Sequence, residues 1–223
     1  MILNIAMDGP VGAGKSSIAK AVADRLGILH LDTGAMYRAG GLSAIRAGVD
    51  LQDEAAVTAH TKAIDVSVAH AEGGQRTIVN GEDLTDFIRT PEVSMAASTV
   101  GKYAGVRREM VAIQQKLAAT TPMLVDGRDI CVRVLPNAPV KIFLTASPEV
   151  RAKRRTDELQ AKGQKANYET VLKEIVQRDY QDTHRPIAPL KMCRDSVKLD
   201  TSDMTIEEVV AKMREIVEEK IGK

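Results

Sequence analysis

A glycine-rich segment near the N-terminus has residue types that bind the phosphates of a nucleoside triphosphate. Residues 9–16 read Gly-Pro-Val-Gly-Ala-Gly-Lys-Ser and fit the pattern G-x-x-x-x-G-K-[ST] without a mismatch. Its glycines let consecutive backbone N–H groups converge on phosphate oxygens, and the helix expected to follow adds a favourable dipole. Lys15 supplies a cation for the β- and γ-phosphates, and the Ser16 hydroxyl is a ligand for Mg²⁺. The segment therefore predicts a site for a magnesium-complexed triphosphate.

The sequence on either side of this loop supports that interpretation. Residues 2–7 form a short apolar run suited to a buried strand. Residues 17–26 place Ile18, Val22 and Leu26 at helical spacing before Gly27. A strand, a glycine-rich loop and a helix in this order are what the motif requires. The alternative is a glycine-rich turn that happens to precede a lysine.

A second group of candidates is basic. Residues 151–155 read Arg-Ala-Lys-Arg-Arg, and on a helix the three arginines share one face. Arginines delivered by a closing segment can stabilise the charge on a transferring phosphoryl group. We predict that Arg154 or Arg155 does so, without choosing between them. A solvated helix face is the alternative.

Polar residues that follow predicted strands form a third group. Asp32 and Arg38 follow the second strand candidate, and residues 126–129, Asp-Gly-Arg-Asp, follow the third. Ligands of α/β sheets bind at such strand ends. Asp32 is a candidate to hold Mg²⁺ through water, and Arg38 is a candidate to hold a phosphate. The alternatives are an ordinary helix cap at Asp32 and a surface ion pair within residues 126–129.

A last polar group lies near the end of a helix that Pro186 stops. It contains Arg178, Asp182 and Arg185. Because Arg178 and Asp182 are four residues apart, a plain helix salt bridge is a serious alternative. The four histidines do not cluster, so a metal site built from imidazoles is not expected.

These candidates must be positioned by alternating strands and helices. Helical stretches separate the further strand candidates, which are residues 28–31, 123–126, 140–144 and 197–200. A repeated β-α pattern predicts a parallel sheet covered on both faces.

Two stretches interrupt the β-α repeat. Residues 64–79 predict a hairpin in a small antiparallel insert. Residues 147–184 predict two polar helices joined near Gly163. Because these helices carry little apolar surface, we expect a weakly anchored, mobile lid.

Composition narrows the class of protein. The 223 residues include 31 basic and 30 acidic side chains, so the net charge is +1 and no general polyanion-binding surface is indicated. Aromatic residues are 3% of the chain, which argues against base-stacking platforms for nucleic acid. Cys131 and Cys193 predict free thiols in a reducing cytoplasm. No segment is long enough to span a bilayer and none resembles a secretory signal, so we expect no membrane partner. Because the charge is balanced and aromatic residues are few, we expect no nucleic-acid partner.

The chain resembles bacterial cytidylate kinases, which phosphorylate CMP and dCMP with ATP in pyrimidine nucleotide metabolism. The glycine-rich segment at residues 9–16, known as a P-loop, carries part of the resemblance. The further segments that carry it are residues 8–10, 32–38, 81–83, 88–90, 96–98, 126–129, 138–144 and 185–190. It implies a P-loop NTPase fold with three α/β/α layers, a five-stranded parallel sheet, a monophosphate-binding antiparallel insert and a helical lid. In a single kinase unit, the core would be about 1–37, 83–146 and 186–223, the insert 38–82 and the lid 147–185. We expect a monomer.

The resemblance also implies roles for individual residues. The ATP phosphates would be bound by Gly9, Pro10, Val11, Gly12, Ala13, Gly14, Lys15, Ser16 and Ser17. CMP would be bound by Thr33, Tyr37, Arg38, Ser98, Arg107, Arg128, Asp129, Arg178, Asp182 and Arg185. The catalytic residues would be Lys15, Arg128, Arg154, Arg155 and Arg185, with Ser16 and Asp32 at Mg²⁺. The Asp129 carboxylate would accept from the cytosine amino group, whereas in UMP it would face a carbonyl oxygen.

The chain departs from the family pattern in two segments. Family members usually continue Gly-Arg-Asp with an apolar residue, Gly and Thr, whereas here Ile130 is followed by Cys131 and Val132. We expect an altered loop rather than lost binding. Thr33 stands where many members have Ser, which keeps the hydroxyl. The alternatives that stay open are a kinase for UMP or dTMP and, from another class, a switch that hydrolyses ATP slowly.

Overall fold

The computed structural model of the chain describes residues 2–161 and 163–222. Its main sheet is parallel, with strand order β2-β6-β1-β7-β8. The strands of this sheet are β1 (Asn4–Asp8), β2 (Leu29–Asp32), β6 (Met123–Gly127), β7 (Val140–Thr145) and β8 (Val197–Asp200). Each predicted strand is therefore present, and the five-stranded parallel sheet is confirmed.

The α-helices are α1 (Lys15–Leu26), α2 (Thr33–Arg46), α3 (Glu54–Ala63), α4 (Pro91–Val100), α5 (Ala104–Ala118), α6 (Pro148–Ala161), α7 (Tyr168–His184) and α8 (Ile206–Ile221). Residues of α1 and α8 pack on one face of the main sheet, and residues of α2, α4 and α5 pack on the other. A π-helical turn, Ile130–Val134, follows β6. Within the part of the chain that the structure describes, no helix combines the length and apolar character needed to cross a membrane.

Side-chain alternation along β1 divides the core into two layers. Ile5 and Met7 pack into one apolar cluster with residues of α1 and α8. Ala6 points to the other face, into a cluster built largely from α2, α4 and α5. Because both faces of the sheet are buried, the strands are almost continuously apolar. The three-layer architecture is confirmed.

The insert is a small antiparallel sheet of β3 (Val66–Ala71), β4 (Gly74–Val79) and β5 (Glu82–Asp83). Its hairpin is tied to the core by polar contacts. The Gln75 side chain accepts from the Asp32 N–H at 2.7 Å and donates to the Asp32 carbonyl at 3.2 Å. Lys20 Nζ donates to the Gly73 carbonyl at 2.8 Å. The insert is therefore docked on the end of β2 and on α1.

The lid consists of α6 and α7, which pack on each other around Ala152, Val171 and Ile175. Val11 of the glycine-rich loop packs against this small cluster, so the lid contacts the phosphate loop directly. The division into core, insert and lid stays a prediction. Two of its approximate borders fall inside elements, because residues 37–38 lie within α2 and residues 82–83 form β5.

Candidate active site

The glycine-rich loop joins β1 to α1 and leaves the start of α1 open. Gly14 is the N-cap of α1 with φ 80°, a left-handed conformation that favours glycine, and no side chain caps the helix. The first N–H groups of α1 therefore point toward an anion site. At Gly9 a Cβ would lie 2.0 Å from the Leu144 carbonyl oxygen, so only glycine fits against β7.

Lys15 is held inside this loop. Its side chain is 7% exposed, and Nζ donates to the Pro10 carbonyl at 2.7 Å. Burial, followed by repulsion from Arg128, lowers the pKa of Lys15 to about 7. A bound polyphosphate would stabilise the protonated ammonium and raise this pKa.

A carboxylate at the end of β6 contacts the Ser16 side chain. The Ser16 hydroxyl donates to Asp126 Oδ2 at 2.9 Å, and His30 Nε2 lies 3.3 Å from Asp126 Oδ1. Burial opposes protonation of His30, but the hydrogen bond with Asp126 raises its pKa overall. Ser16 and Asp126 present oxygen atoms side by side, which is the donor chemistry that Mg²⁺ prefers.

Asp32, the carboxylate predicted at the metal, has other partners. Its Oδ1 accepts from the Ala35 N–H at 2.9 Å, which caps α2, and its Oδ2 accepts from Arg89 at 3.0 Å. Arg38 Nη1 lies 3.6 Å from the same Oδ2. These contacts favour Asp126 over Asp32 beside Ser16, and the sequence analysis did not single out Asp126 for this role. Across residues 2–161 and 163–222, no group of three or more His, Cys, Asp or Glu side chains forms a metal cage.

The residues predicted to bind CMP form a network of paired charges. Arg107 donates to Asp129, and both side chains are buried. Arg128 Nε donates to Asp182 Oδ2 at 2.9 Å, and Arg185 Nη1 lies 3.9 Å from Asp182 Oδ1. The structure thus brings together arginines and carboxylates from α5, α7 and the loop after β6.

Several buried donors in this network have no hydrogen-bond partner among the residues that the structure describes. They are the Tyr37 hydroxyl, Arg38 Nη1, Arg178 Nε and Arg185 Nη2. Burial, followed by repulsion from Arg128, lowers the pKa of Arg178. Buried donors without partners are costly, so a polyanionic ligand fits this pocket well. All four belong to residues that the resemblance assigned to CMP.

The remaining CMP candidates lie around this network. The Arg107 guanidinium lies 5.6 Å from the centre of the Tyr37 ring. Thr33 Oγ1 donates to the Asp126 carbonyl at 2.8 Å. Ser98 is half-buried on α4.

The three arginines of α6 have separate environments, although a helical wheel places them together. Arg151 is 3% exposed, donates to the Val11 carbonyl at 2.9 Å and forms a two-point pair with Asp179. Arg154 donates to the Thr201 carbonyl at 2.6 Å, whereas Arg155 pairs with Glu158 at the surface. Arg151 is therefore the arginine that contacts the phosphate loop here, a role that the sequence analysis did not assign to it.

The departure after Asp129 leaves an ordered loop. Among the described residues, positive φ outside glycine occurs at Asn80 and Ala188, so the backbone at Cys131 does not require glycine. Cys131 is buried and its N–H donates to Asp8 Oδ2 at 2.9 Å. Both Cys131 and Cys193 are free thiols, as predicted.

Comparison with known proteins supplies the family. The cytidylate kinase family model matches residues 5–219. Cytidylate kinase from Bacillus licheniformis is 52% identical over 99% of this chain and 98% of that protein. Cytidylate kinase from Bacillus subtilis is 46% identical over 98% and 97% of the two chains. The solved shikimate kinase from Bacteroides thetaiotaomicron has a TM-score of 0.50 at 14% identity, covering 98% and 99% of the two chains, and supports the fold alone. The chain belongs to the cytidylate kinase family, as its sequence motifs predicted.

Proposed function

We propose residue roles for the reaction of this family, in which the γ-phosphate of ATP is transferred to CMP or dCMP, yielding CDP or dCDP and ADP. The chain is a nucleoside monophosphate kinase. The observation that carries the proposal is the group of buried donors on Tyr37, Arg38, Arg178 and Arg185 that have no hydrogen-bond partner within the described part of the chain. These donors form a second anion site beside the phosphate loop, which a protein that only hydrolyses ATP does not need.

On the donor side, residues 9–17 bind the ATP phosphates. Backbone N–H groups at the open start of α1 and the Lys15 ammonium neutralise the β- and γ-phosphates. To make this contact, Lys15 Nζ would exchange its hydrogen bond with the Pro10 carbonyl for one with phosphate.

The metal ion fits next to Ser16. Ser16 and Asp126 are the residues that would hold Mg²⁺, directly or through water, because their oxygens already lie 2.9 Å apart. When bound, Mg²⁺ neutralises phosphate charge and helps to align the transferring group.

On the acceptor side, Arg38 and Arg128 bind the CMP phosphate, with Thr33 and Tyr37 beside it. Arg178, Asp182 and Arg185 bind the ribose and the neighbouring phosphate. Because Arg128 and Asp182 already act on the charge of Lys15, the donor and acceptor sites are within electrostatic reach of each other.

The phosphoryl transfer needs positioning and charge neutralisation rather than a general base. A CMP phosphate oxygen attacks the γ-phosphorus in line, the bond to the ADP oxygen breaks, and the electron pair leaves with ADP. Lys15, Arg128 and Arg185 surround the developing charge. Arg154 or Arg155 joins them only if the lid moves, because both have other partners here. Lid closure would also exclude water.

Base selection comes from Ser98, Arg107 and Asp129. The Arg107–Asp129 pair is buried, so a base that reaches it must satisfy its hydrogen bonds. Cytosine offers a donor to the Asp129 carboxylate, whereas uracil offers an acceptor, which leaves two acceptors facing each other.

The proposal also covers the setting of the reaction. We propose a cytoplasmic monomer without nucleic-acid or membrane partners. Free Cys131 and Cys193 are consistent with a reducing compartment.

The experiment that tests the proposal measures ADP release from Mg-ATP with CMP, dCMP, UMP and dTMP in turn. We expect CMP and dCMP to stimulate ADP release strongly and UMP and dTMP to do so weakly. Preferential stimulation by UMP or dTMP would identify a different monophosphate kinase. ADP release that no monophosphate stimulates would indicate a nucleotide-dependent switch.

A further inference from the structure

A buried carboxylate just before the phosphate loop holds the loop that follows β6. Asp8, the last residue of β1, is 1% exposed. Its Oδ1 accepts from the Ile130 N–H at 2.8 Å, and its Oδ2 accepts from the Cys131 N–H at 2.9 Å. Both carboxylate oxygens thus bind consecutive backbone amides of one turn.

These amides immediately follow the residues assigned to the acceptor nucleotide. In the sheet register Asp8 lies opposite Gly127, so the backbone before Arg128 is fixed by β-sheet pairing. Asp8 fixes the same backbone again at residues 130 and 131. Arg128 and Asp129 therefore project from a short segment that is held at both ends.

Burying the Asp8 carboxylate costs free energy, and its hydrogen bonds to the loop must offset that cost. Burial raises the pKa of Asp8, and hydrogen bonds from the Cys131 and Ile130 amides offset part of that shift. An apolar side chain at position 8 would avoid this cost but would leave two buried N–H groups unpaired. Cys131 is also the first of the two residues at which this loop departs from the usual family pattern, so Asp8 holds a loop whose sequence is unusual.

We infer that Asp8 is a positioning residue for base selection: by binding the amides of Ile130 and Cys131, it fixes the orientation in which Asp129 meets the base. This inference rests on the base-reading role proposed for Asp129. Asp8 itself touches neither the base nor the transferring phosphate.

The test is Asp8→Asn, measured as kcat/KM for CMP and for UMP with Mg-ATP. Asn keeps the size of the side chain, but its NH₂ group must face one of the two backbone N–H groups, which repels. We expect the ratio of kcat/KM for CMP to that for UMP to fall about tenfold, with KM for ATP nearly unchanged. Equal losses with both substrates would mean that Asp8 only supports the fold, and would overturn the inference.

Two companion variants separate the possible failures. Asp129→Ala should lower the same ratio by at least as much. If Asp129→Ala lowers the ratio and Asp8→Asn does not, the Asp8 inference alone is wrong. If Asp129→Ala leaves the ratio unchanged, the base-reading role fails, and the inference fails with it. Lys141→Met removes another buried charge, that of a β7 lysine whose Nζ donates to Asp195. It should lower stability without changing the ratio.

A measurement on the unmodified protein covers the case in which Asp8→Asn does not fold. Amide hydrogen exchange, read by NMR, should show strong protection at Ile130 and Cys131 without nucleotide. Asp8→Glu keeps the charge but lengthens the side chain, and should speed exchange at these two amides and lower the CMP to UMP ratio less than Asn does. Unprotected amides in the unmodified protein would overturn the inference.

Discussion

The proposed donor and acceptor halves of the site are built in opposite ways. The donor half is one continuous segment, residues 9–17, that presents backbone N–H groups and one buried lysine. The acceptor half draws side chains from α2, α4, α5, α7 and the loop after β6, and most of its charges are already paired. A phosphate loop can therefore be specified by a few neighbouring residues, whereas a pocket for CMP needs the tertiary fold.

The two halves also differ in how their buried charges are balanced. In the donor half, the buried Lys15 ammonium donates to the Pro10 carbonyl, and burial lowers the pKa of Lys15 to about 7, which reduces its charge. In the acceptor half, carboxylates such as Asp129 and Asp182 balance the arginines. Substrate binding must rearrange these pairs, so acceptor affinity reflects an exchange of partners rather than a simple gain of contacts.

The largest expected effect tests the donor half. Lys15→Ala removes the cation that the β- and γ-phosphates require, so kcat should fall by about 10²- to 10³-fold, whereas KM for CMP should change little. Steady-state kinetics and circular dichroism measure activity and fold. Arg25→Met, at an exposed cation in the last turn of the same helix, is the control and should retain activity. Near-normal turnover of Lys15→Ala would remove Lys15 from the mechanism.

A smaller effect tests whether the two halves are independent. Arg151 joins the Val11 carbonyl of the phosphate loop to Asp179 on α7, the helix that also carries Arg178 and Asp182. Arg151→Met should therefore raise KM for both ATP and CMP, by roughly tenfold for ATP, and speed hydrogen exchange in α6 and α7.

The control for Arg151→Met is Lys153→Met on the same helix. Lys153 forms an exposed ion pair with Asp157, and such pairs contribute little to stability. We expect its kinetics to match the unmodified protein. A change in KM for ATP alone after Arg151→Met would indicate that the two halves do not communicate through this arginine.

The smallest expected effect is proton uptake when ATP binds. Because the pKa of Lys15 is lowered to about 7 in the free protein, the residue is largely neutral at pH 8. Bound phosphates should raise this pKa, so up to one proton enters on binding at pH 8 and little enters at pH 6, where Lys15 is already charged.

Calorimetry with a non-hydrolysable ATP analogue, in buffers of different ionisation enthalpy, measures this uptake. Lys15→Arg is the matched control, since an arginine stays protonated and leaves only the proton exchange of the nucleotide itself. Equal uptake by the two proteins at pH 8 would contradict the proposed titration of Lys15.

The sequence was sufficient for the sheet, the insert and the lid helices because period and capping are local signals. Val197–Asp200 forms β8 at the predicted strand candidate, and Thr205 with Glu208 forms a capping box at the start of α8. The phosphate loop was equally accessible, because its residues are consecutive.

The identity of the carboxylate beside Ser16 was not accessible in this way. Asp32 ends β2 and Asp126 lies near the end of β6, but β6 lies next to β1 whereas β2 is one strand further away. Asp126 therefore contacts Ser16 and Asp32 does not. Strand order depends on long-range pairing, which a single sequence does not display. Likewise, the rotation with which α6 docks decides that Arg151 rather than Arg154 reaches the phosphate loop.

Polar contacts with the core restrict how the hairpin of the insert can move. Gln75 binds both backbone groups of Asp32, Lys20 binds the Gly73 carbonyl, and His70 Nε2 lies 2.7 Å from the His30 carbonyl. None of these contacts involves the groups assigned to nucleotides. An outward swing of the hairpin must break these contacts, so the protein's own polar groups set the resting position of the insert.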